Sequence, residues 1–323
     1  MILTVSVRDD LHTLAVREAA ARRGYADFHI MECDQISGRH SLAWSSDGDP
    51  SATVLTTDGV ALPLADVSVL WWRRMRANQQ VSALTADEFQ RRLVNNDCRG
   101  ALGGILAAAY RGLWVSLPEA TDRAADKLYQ LSVAQEAGFR VPRTLVSQSR
   151  QDVIDFARQV GRIIVKPVVG ASGPLMFTQY IDDPSSIPEE SFTACPAVYQ
   201  EYIPGRRHVR LNCFGDRFYA ALIETDRLDW RPDLSVPISK WSVPTEVARQ
   251  VASVLRRLDL RMGIIDIKLT PHGEPVWLEV NPQGQFLFLE PLLGEPLADH
   301  FFDFLLSNAE ASRPGPTTCR PRT

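Results

Sequence analysis

Residues 263–268 read GIIDIK and residues 276–282 read VWLEVNP, and these two stretches determine the fold of the region around them. Apolar and β-branched residues alternate with polar ones in both stretches, which is the pattern of strands. The TPHGE sequence between them is a turn signal, so we predict a hairpin. In this hairpin Asp266 faces Glu279 and Asn281, which are two residues apart and therefore share one face of their strand.

The three oxygen-bearing side chains of this hairpin are candidate ligands for Mg²⁺. Magnesium takes a few carboxylate oxygens from a protein and leaves its other positions to water and nucleotide phosphates. The same pattern also fits an edge hairpin with a solvated polar face. The hairpin alone does not separate these two interpretations.

Composition narrows the class of protein. The chain has 323 residues, 45% apolar and 23% charged, which is typical of a globular protein of several lobes. A net charge of −4 gives no basic field for nucleic acid. The five cysteines are scattered and include no CxxC pair, which predicts reduced thiols in the cytoplasm. We find no signal-peptide pattern and no apolar stretch of membrane-spanning length, so we expect no membrane partner.

Strand and helix patterns alternate along the first 115 residues, which predicts a small α/β lobe. Strands are expected at 2–7, 27–31, 67–72 and 113–117, helices at 11–23 and 85–110, and a hairpin turn at Asp58-Gly59. Further helices are expected at 121–137, 150–160, 244–260 and 296–306, and strands at 162–168, 197–203, 209–214 and 217–224.

Two lysines are candidate phosphate ligands. Lys166 ends a predicted buried strand and precedes a loop of small residues at 170–174, which lets main-chain N–H groups approach phosphate oxygens. The loop is neither a Walker A motif nor GxGxxG. Lys127 lies inside the helix predicted over 121–137. A solvent-exposed charge is the competing interpretation at both positions.

Two further features suit a nucleotide. The YQEYIPG sequence at 199–205 predicts a strand that stops at Pro-Gly and leaves main-chain groups available for an adenine edge. Arg210 lies between Val209 and Leu211 on the next predicted strand, so its side chain faces away from the core and suits phosphate oxygens. A plain strand end and a surface cation are the competing interpretations.

Taken in order, these residues resemble the ATP-grasp superfamily over roughly residues 115–306, with the first lobe similar to the domain that precedes ATP-grasp modules. Three more stretches, VLWWRR at 69–74, LDWR at 228–231 and EVNPQGQF at 279–286, resemble the graspetide (microviridin-type) peptide ligases. The resemblance implies an α/β ATP-grasp fold with an N-terminal pre-ATP-grasp domain at 1–115, a central lobe at 116–195, a C-terminal lobe with the metal site at 196–310 and a disordered tail at 311–323.

The resemblance also implies ATP and Mg²⁺ as cofactors. The implied metal ligands are Asp266, Glu279 and Asn281. The implied nucleotide-binding residues are Lys127, Lys166, Ser172, Gly173, Gln200, Glu201, Tyr202, Ile203 and His208, and the implied catalytic residues are Arg210, Lys166, Asp229 and Arg231.

Some roles stay open at this point. His208 stands where many relatives have an acidic residue that meets the ribose hydroxyls, so its ribose contact is in question. Asp229 and Arg231 either serve the substrate acid or its attacking hydroxyl, or form a structural salt bridge. Arg73 and Arg74 face either an acidic peptide or solvent.

The resemblance implies a ligase that activates an Asp or Glu side chain of a ribosomally made precursor peptide, composed of leader and core, as an acyl phosphate. Attack by Ser, Thr or Lys of the same peptide then gives an ω-ester or ω-amide ring. A RimK-like ligase that adds an amino acid to a protein or small acceptor is the first alternative. A kinase and a non-catalytic nucleotide-binding partner are the others, and a homodimer is left open.

Overall fold

The computed structural model describes residues 1–47, 54–57, 59–74, 78–79, 81, 87–169 and 178–311. The chain divides into two compact units, Met1–Pro118 with Pro296–Thr323 and Glu119–Glu295. The division into three lobes stays a prediction. The loop residues Ser172 and Gly173 and the predicted disordered tail from residue 312 lie outside the described residues. Among the described helices, none has the length and apolar character needed to cross a membrane.

The first unit is built on a parallel sheet. Its strands are β1 (Ile2–Ser6), β2 (Phe28–Glu32), β6 (Val69–Trp72) and β7 (Leu113–Val115), in the order β2-β1-β6-β7. Strand β1 is buried along its whole length, as expected for a central strand of a parallel sheet. The helices of this unit are α1 (Leu11–Arg22), α2 (Glu88–Ala109) and α9 (Leu297–Ala311), and α3 (Pro118–Ala124) begins at its boundary.

A small antiparallel sheet completes the first unit. Its strands are β3 (Ser41–Ala43), β4 (Val54–Thr57) and β5 (Val60–Pro63), in sequence order. Strands β4 and β5 form the hairpin expected at Asp58-Gly59, and Gly59 has the positive φ of 76° that such a turn requires. Asp58 itself lies outside the described residues.

A buried ion pair lies where β1 and β6 end. Arg73 is fully buried, and its Nε donates to Asp10 Oδ2 at 2.8 Å. The Ser6 hydroxyl donates to the same oxygen at 2.7 Å, and the His12 main-chain N–H donates to Asp10 Oδ1 at 3.0 Å, which caps α1. The expectation that Arg73 faces a peptide or solvent is therefore wrong. Its partly exposed neighbour Arg74 lies 3.7 Å from the same carboxylate.

The second unit contains two antiparallel sheets, and the first carries Lys166 and the stretch that begins at Gln200. Its strands are β8 (Thr144–Ser147), β9 (Ile163–Pro167), β10 (Gln179–Ile181) and β11 (Ala197–Glu201), in the order β10-β9-β11-β8. The helices of this part are α4 (Lys127–Glu136), α5 (Arg150–Val160) and α6 (Glu189–Thr193).

The prediction of a single helix over 121–137 is wrong, because the helical conformation is interrupted between α3 and α4. Asp126 is the N-cap of α4 and accepts hydrogen bonds from the main-chain N–H groups of Leu128 and Tyr129. Lys127 is therefore the first residue of a helix instead of an interior one. This position brings its side chain to the end of β9, as described below.

The second sheet of this unit carries most of the candidate site. Its strands are β12 (Arg207–Phe214), β13 (Arg217–Glu224), β14 (Ile238–Lys240), β15 (Met262–Leu269) and β16 (Pro275–Asn281), in the order β14-β13-β12-β15-β16. The remaining helices are α7 (Thr245–Arg257) and the short α8 (Glu290–Leu293). The apolar stripe of α7, including Val247, Val251 and Val254, packs in one core with Trp277 of β16.

Candidate active site

A cavity of about 370 Å³ opens in the second unit, and most of the predicted site residues line it. The lining includes Lys127, Lys166, Gln200, Glu201, Tyr202, Ile203, His208, Asp229, Arg231, Asp266 and Glu279. The cavity therefore collects lysines, carboxylates and a strand end from widely separated parts of the sequence. This convergence is the outcome that the sequence analysis required.

The predicted hairpin of β15 and β16 is confirmed, and it places Asp266 directly opposite Glu279. The register shifts immediately after this pair, because Ile267 pairs with Trp277 and Leu278 is the extra residue of a bulge. Leu278 and Glu279 consequently both line the cavity. Sequence alternation alone does not reveal this bulge.

Asp266 is held by Arg210, its partner across β12 and β15. Arg210 Nη1 donates to Asp266 Oδ2 at 2.7 Å, and Arg210 Nη2 donates to the Gln285 carbonyl oxygen at 3.1 Å. The other oxygen, Asp266 Oδ1, is buried and has no hydrogen-bond partner among the described residues. Burial raises the pKa of Asp266, and the charge of Glu279 adds to this effect while Arg210 opposes it.

This arrangement fits a divalent cation that prefers oxygen ligands. A buried carboxylate oxygen without a partner is uncommon, and a neighbouring carboxylate at the same point makes the site a natural place for positive charge. In the part of the chain that the structure describes, no group of three or more His, Cys, Asp or Glu side chains is arranged to hold a metal. Asp266 and Glu279 are the facing pair of carboxylates in this cavity, whereas its other carboxylates, Glu201 and Asp229, are paired with arginines.

Asn281 stands at the end of β16, opposite Ile264. Its side chain is exposed, and its Oδ1 accepts a hydrogen bond from the Gln283 main-chain N–H at 3.1 Å. It is not one of the described residues that line the cavity. Its role as a third metal ligand stays a prediction.

The two lysines meet at the end of β9. Lys127 Nζ donates to the Pro167 carbonyl oxygen at 2.9 Å, which ties the start of α4 to the strand that carries Lys166. Burial lowers the pKa of Lys166 to about 8, and the charge of Lys127 acts in the same direction while Glu279 opposes it. Two ammonium groups directed at one cavity favour an anionic ligand.

The stretch from Gln200 to Ile203 also reaches the cavity, although three of its side chains are engaged elsewhere, the first being Gln200, whose Nε2 donates to Thr144 Oγ1 at 2.9 Å. The Glu201 carboxylate accepts hydrogen bonds from Arg140 Nη2 and from the Arg143 main-chain N–H, both at 3.1 Å. The Tyr202 ring packs against another tyrosine, with ring centroids 5.3 Å apart. A planar ligand in this part of the cavity would therefore meet main-chain groups and the buried Ile203 side chain.

Asp229 and Arg231 form the salt bridge that was one of the two interpretations, and their role toward the substrate stays a prediction. They form an ion pair in which Arg231 Nε donates to Asp229 Oδ1 at 2.8 Å, and both residues line the cavity. Burial alone would raise the pKa of Asp229, but the hydrogen bonds and charge of Arg231 bring it below its ordinary value. Trp230 lies between them in sequence, stacks on Phe288 with ring centroids 5.8 Å apart, and has the guanidinium of Arg210 5.9 Å from its ring.

Sequence reasoning missed Lys268, which also lines the cavity. Lys268 pairs with His208 across β15 and β12, and its Nζ lies 2.8 Å from His208 Nε2. Burial lowers the pKa of Lys268 to about 8 and that of His208 to about 4, the latter helped by the adjacent ammonium. The histidine is therefore neutral and accepts from the lysine. The signal was available, because Asp266 and Lys268 are two residues apart and share a strand face.

Gln130 was also missed, and no sequence motif marks it. This buried residue of α4 donates from Nε2 to the Val280 carbonyl oxygen at 2.9 Å and accepts at Oε1 from the Val280 N–H at 2.8 Å. Val280 lies between Glu279 and Asn281 on the outermost strand of its sheet. Gln130 thus fixes the helix that begins with Lys127 against the strand that carries Glu279.

Solved structures of the same fold cover nearly the whole chain. Macrocyclase MdnC from Microcystis aeruginosa MRC, solved with precursor peptide MdnA, is 25% identical over 95% of this chain and 100% of its own, with a TM-score of 0.83. A RiPP-associated ATP-grasp ligase of Chryseobacterium gregarium, in complex with ADP and a leader and core peptide, is 22% identical over 95% and 96%, with a TM-score of 0.84.

A third structure, ATP-grasp ligase PsnB with a phosphomimetic variant of its minimal precursor, Mg and ADP, is 22% identical over 95% of this chain and 98% of its own, with a TM-score of 0.80. No family model and no curated protein matches the chain. The chain has the fold of RiPP-associated ATP-grasp ligases, which confirms the α/β ATP-grasp architecture with an N-terminal α/β domain that the sequence predicted.

Proposed function

We propose that this chain is an ATP- and Mg²⁺-dependent ligase that closes ω-ester or ω-amide rings in a ribosomally made precursor peptide. One observation carries the proposal. Asp266 and Glu279 face each other in a cavity that Lys127 and Lys166 also line, and Asp266 keeps a buried oxygen without a partner among the described residues. The precursor peptides, ADP and Mg found with proteins of the same fold support this choice of substrates and cofactor.

The cavity residues divide the work of binding ATP. Lys127 and Lys166 hold the phosphate oxygens, and main-chain groups beside Ile203 hold the adenine edge. Asp266 and Glu279 would hold Mg²⁺, with Asn281 as the proposed third ligand. When bound, the metal neutralises charge on the phosphates. Phosphoryl transfer depends mainly on such positioning and charge neutralisation, which is the chemistry that these side chains supply.

The reaction proceeds in two displacements. An oxygen of a peptide carboxylate attacks the γ-phosphorus, the bond from that phosphorus to the β-phosphate oxygen breaks, and ADP leaves with the formation of an acyl phosphate. A hydroxyl or amine of the same peptide then attacks the acyl carbon, loses its proton and displaces phosphate. Arg210 is proposed to stabilise the developing negative charge, and its support is the contact with Asp266 of the cavity wall, since Arg210 is not itself among the described lining residues.

Asp229 and Arg231 are proposed to act on the peptide. Arg231 carries a permanent charge at the cavity wall and suits the reacting carboxylate, while Asp229 fixes its orientation through their ion pair. Trp230 anchors this segment through its stacking on Phe288. Apolar cover of this kind also limits water, which would hydrolyse the acyl phosphate.

Mass measurement of the product tests the proposal. The chain is incubated with ATP, Mg²⁺ and a precursor peptide whose core contains Thr, Ser or Lys together with Asp or Glu. The proposal predicts ADP formation and the loss of one water from the peptide for each ring. A gain of one amino-acid residue would instead support the RimK-like ligase, and a stable phosphopeptide would support a kinase.

The site of action and the assembly are part of the same proposal. We place the reaction in the cytoplasm, since the substrate is a newly synthesised peptide and the described cysteines are free thiols.

A homodimer is a further proposal, supported by the exposed side chains of Phe89 and Leu93 on α2. Sedimentation of wild type and Leu93→Lys at several concentrations tests it, and a concentration-independent monomer in wild type would contradict it.

A further inference from the structure

The side chain of Lys268 is the starting point. It is only 6% exposed, it lines the cavity, and it donates to His208 Nε2 at 2.8 Å. A neutral histidine accepts a hydrogen bond from one N–H of the ammonium group and leaves the other two N–H donors available. Lys268 is therefore a cation directed at the cavity, additional to the residues that the sequence predicted.

No carboxylate in the described part of the chain neutralises this buried charge. Asp226 is the acidic residue whose charge acts on Lys268, but its side chain is 77% exposed and lies 3.0 Å from Arg206. Asp229, which acts on His208, is paired with Arg231. Buried charges in proteins are paired or bind a ligand, because an isolated buried charge costs several kcal/mol. Lys268 thus favours an anionic ligand.

The position of Lys268 along the sheet says which part of a ligand it meets. His208 and Lys268 form a cross-strand pair two residues away from the Arg210–Asp266 pair on both strands. At the usual rise per residue, the two pairs are about 6.6 Å apart. The next step in the same direction leads towards the start of β12 and Ile203, which also lines the cavity. If ATP lies with its triphosphate at Asp266 and its base at Ile203, the middle of the molecule lies beside Lys268.

We propose that Lys268 binds ATP by donating to an anionic oxygen of the α-phosphate, and that His208 is a positioning residue that orients the lysine. The inference rests on the proposed function, because it takes the direction of the nucleotide from that proposal. It gives His208 a role different from direct ribose contact, since the lysine already occupies its acceptor nitrogen. Phosphate is preferred to a ribose hydroxyl because a buried uncompensated ammonium is stabilised most by an opposite charge.

Calorimetric titration with Mg-ATP and with Mg-2′-deoxyATP tests the role of Lys268. Lys268→Met keeps the length of the side chain and removes the charge, and Lys240→Met makes the same change at an exposed lysine of the same sheet that pairs with Glu295. We expect Lys268→Met to weaken binding of both nucleotides by the same factor, about ten- to one-hundredfold, as for a charged hydrogen bond. Lys240→Met should bind as wild type does.

Three further variants test the positioning role of His208 and the charge of Lys268. His208→Leu should weaken ATP binding by a smaller factor, and adding it to Lys268→Met should cause no further loss, because it acts only through the lysine. Lys268→Arg retains a cation and should recover most of the affinity.

Unchanged affinity in Lys268→Met would overturn the inference, and so would a loss that disappears with 2′-deoxyATP, since that pattern belongs to a hydroxyl contact. Failure of wild type to bind ATP would instead overturn the proposed function itself.

Discussion

A buried Asp–Arg pair in the first unit and a partly buried one in the second have nearly identical N–O distances but opposite surroundings. In the first unit Arg73 Nε lies 2.8 Å from Asp10, and in the second Arg210 Nη1 lies 2.7 Å from Asp266. Both oxygens of Asp10 accept further hydrogen bonds, from a serine hydroxyl and a main-chain N–H. One oxygen of Asp266 accepts none among the described residues, and Glu279 lies directly opposite.

The pKa directions express this difference. Burial alone would raise the pKa of Asp10, but Arg73 and the hydrogen bonds lower it below its ordinary value. The pKa of Asp266 is raised, because burial and Glu279 outweigh Arg210. Surroundings that stabilise the ionised form of a carboxyl group indicate a structural role. Surroundings that destabilise the ionised form favour binding of an added cation.

The largest expected effect is on catalysis at Asp266. Asp266→Asn keeps the shape of the side chain and removes the metal-binding charge, so turnover should fall on the order of 10³-fold. Stability should fall by less than in Asp10→Asn, because removing a charge that folding disfavours offsets part of the loss of the Arg210 ion pair. Steady-state ADP release and urea unfolding provide the two measurements.

Glu279→Gln is the companion variant and should lose turnover in the same way. Near-normal product formation in either variant at saturating ATP and Mg²⁺ would contradict the metal assignment.

The matched change in the first unit should give the reverse result. Asp10→Asn keeps an N-cap for α1 but leaves the fully buried Arg73 without its counter-ion, so the free energy of unfolding should fall by about 3–5 kcal/mol. Urea unfolding measures this loss. The double variant Asp10→Asn/Arg73→Met should recover much of it, and a lack of recovery would contradict the assignment of a structural ion pair.

Substitution of Gln130 should have a smaller effect, which connects the packing of α4 against β16 with the Mg²⁺ requirement of the active site. Gln130→Leu removes both hydrogen bonds to Val280 and leaves its buried main-chain groups unpaired, at a cost of about 1–3 kcal/mol. Because Val280 adjoins Glu279, the Mg²⁺ concentration for half-maximal activity should rise several-fold. Gln151→Leu, on the exposed surface of α5, is the control that should change neither quantity. An unaltered Mg²⁺ requirement in Gln130→Leu would limit Gln130 to a role in stability.

The remaining effect is the pH dependence of ATP binding. Burial lowers the pKa of Lys166 to about 8, so the ammonium group that we propose binds phosphate is present below pH 8 and is lost as pH rises above it. ATP affinity should therefore be nearly constant well below pH 8 and fall above it by up to about tenfold per pH unit through Lys166, with a further fall through Lys268, whose pKa burial also lowers to about 8. Lys166→Arg keeps its charge and should give a shallower fall. An affinity that stays constant from pH 7 to 9.5 would contradict the role of Lys166.

Sequence patterns predicted the parts of this molecule that depend on local alternation. The β15–β16 hairpin, the opposition of Asp266 and Glu279, and the Arg210 strand all follow from the two-residue period of strands. Arg73 was misjudged because its partner Asp10 is 63 residues away and joins it only through the parallel sheet.

The other features that the sequence did not predict have the same kind of cause. The break at Asp126 gives a weaker signal than the helical pattern on either side of it. Gln130 pairs with a residue 150 positions along the chain, a contact that only the tertiary fold creates. Local pattern thus identified the strands of the site, whereas long-range partners decided which charged residues are structural.

Mg²⁺ binding tests the central claim most directly. Calorimetry would follow Mg²⁺ titrated into the chain saturated with a non-hydrolysable ATP analogue, for wild type, Asp266→Asn and Asp10→Asn at a temperature where all three are folded. The account predicts that wild type and Asp10→Asn bind Mg²⁺ with similar affinity and that Asp266→Asn loses this binding. Equal Mg²⁺ affinity in Asp266→Asn and wild type would contradict it.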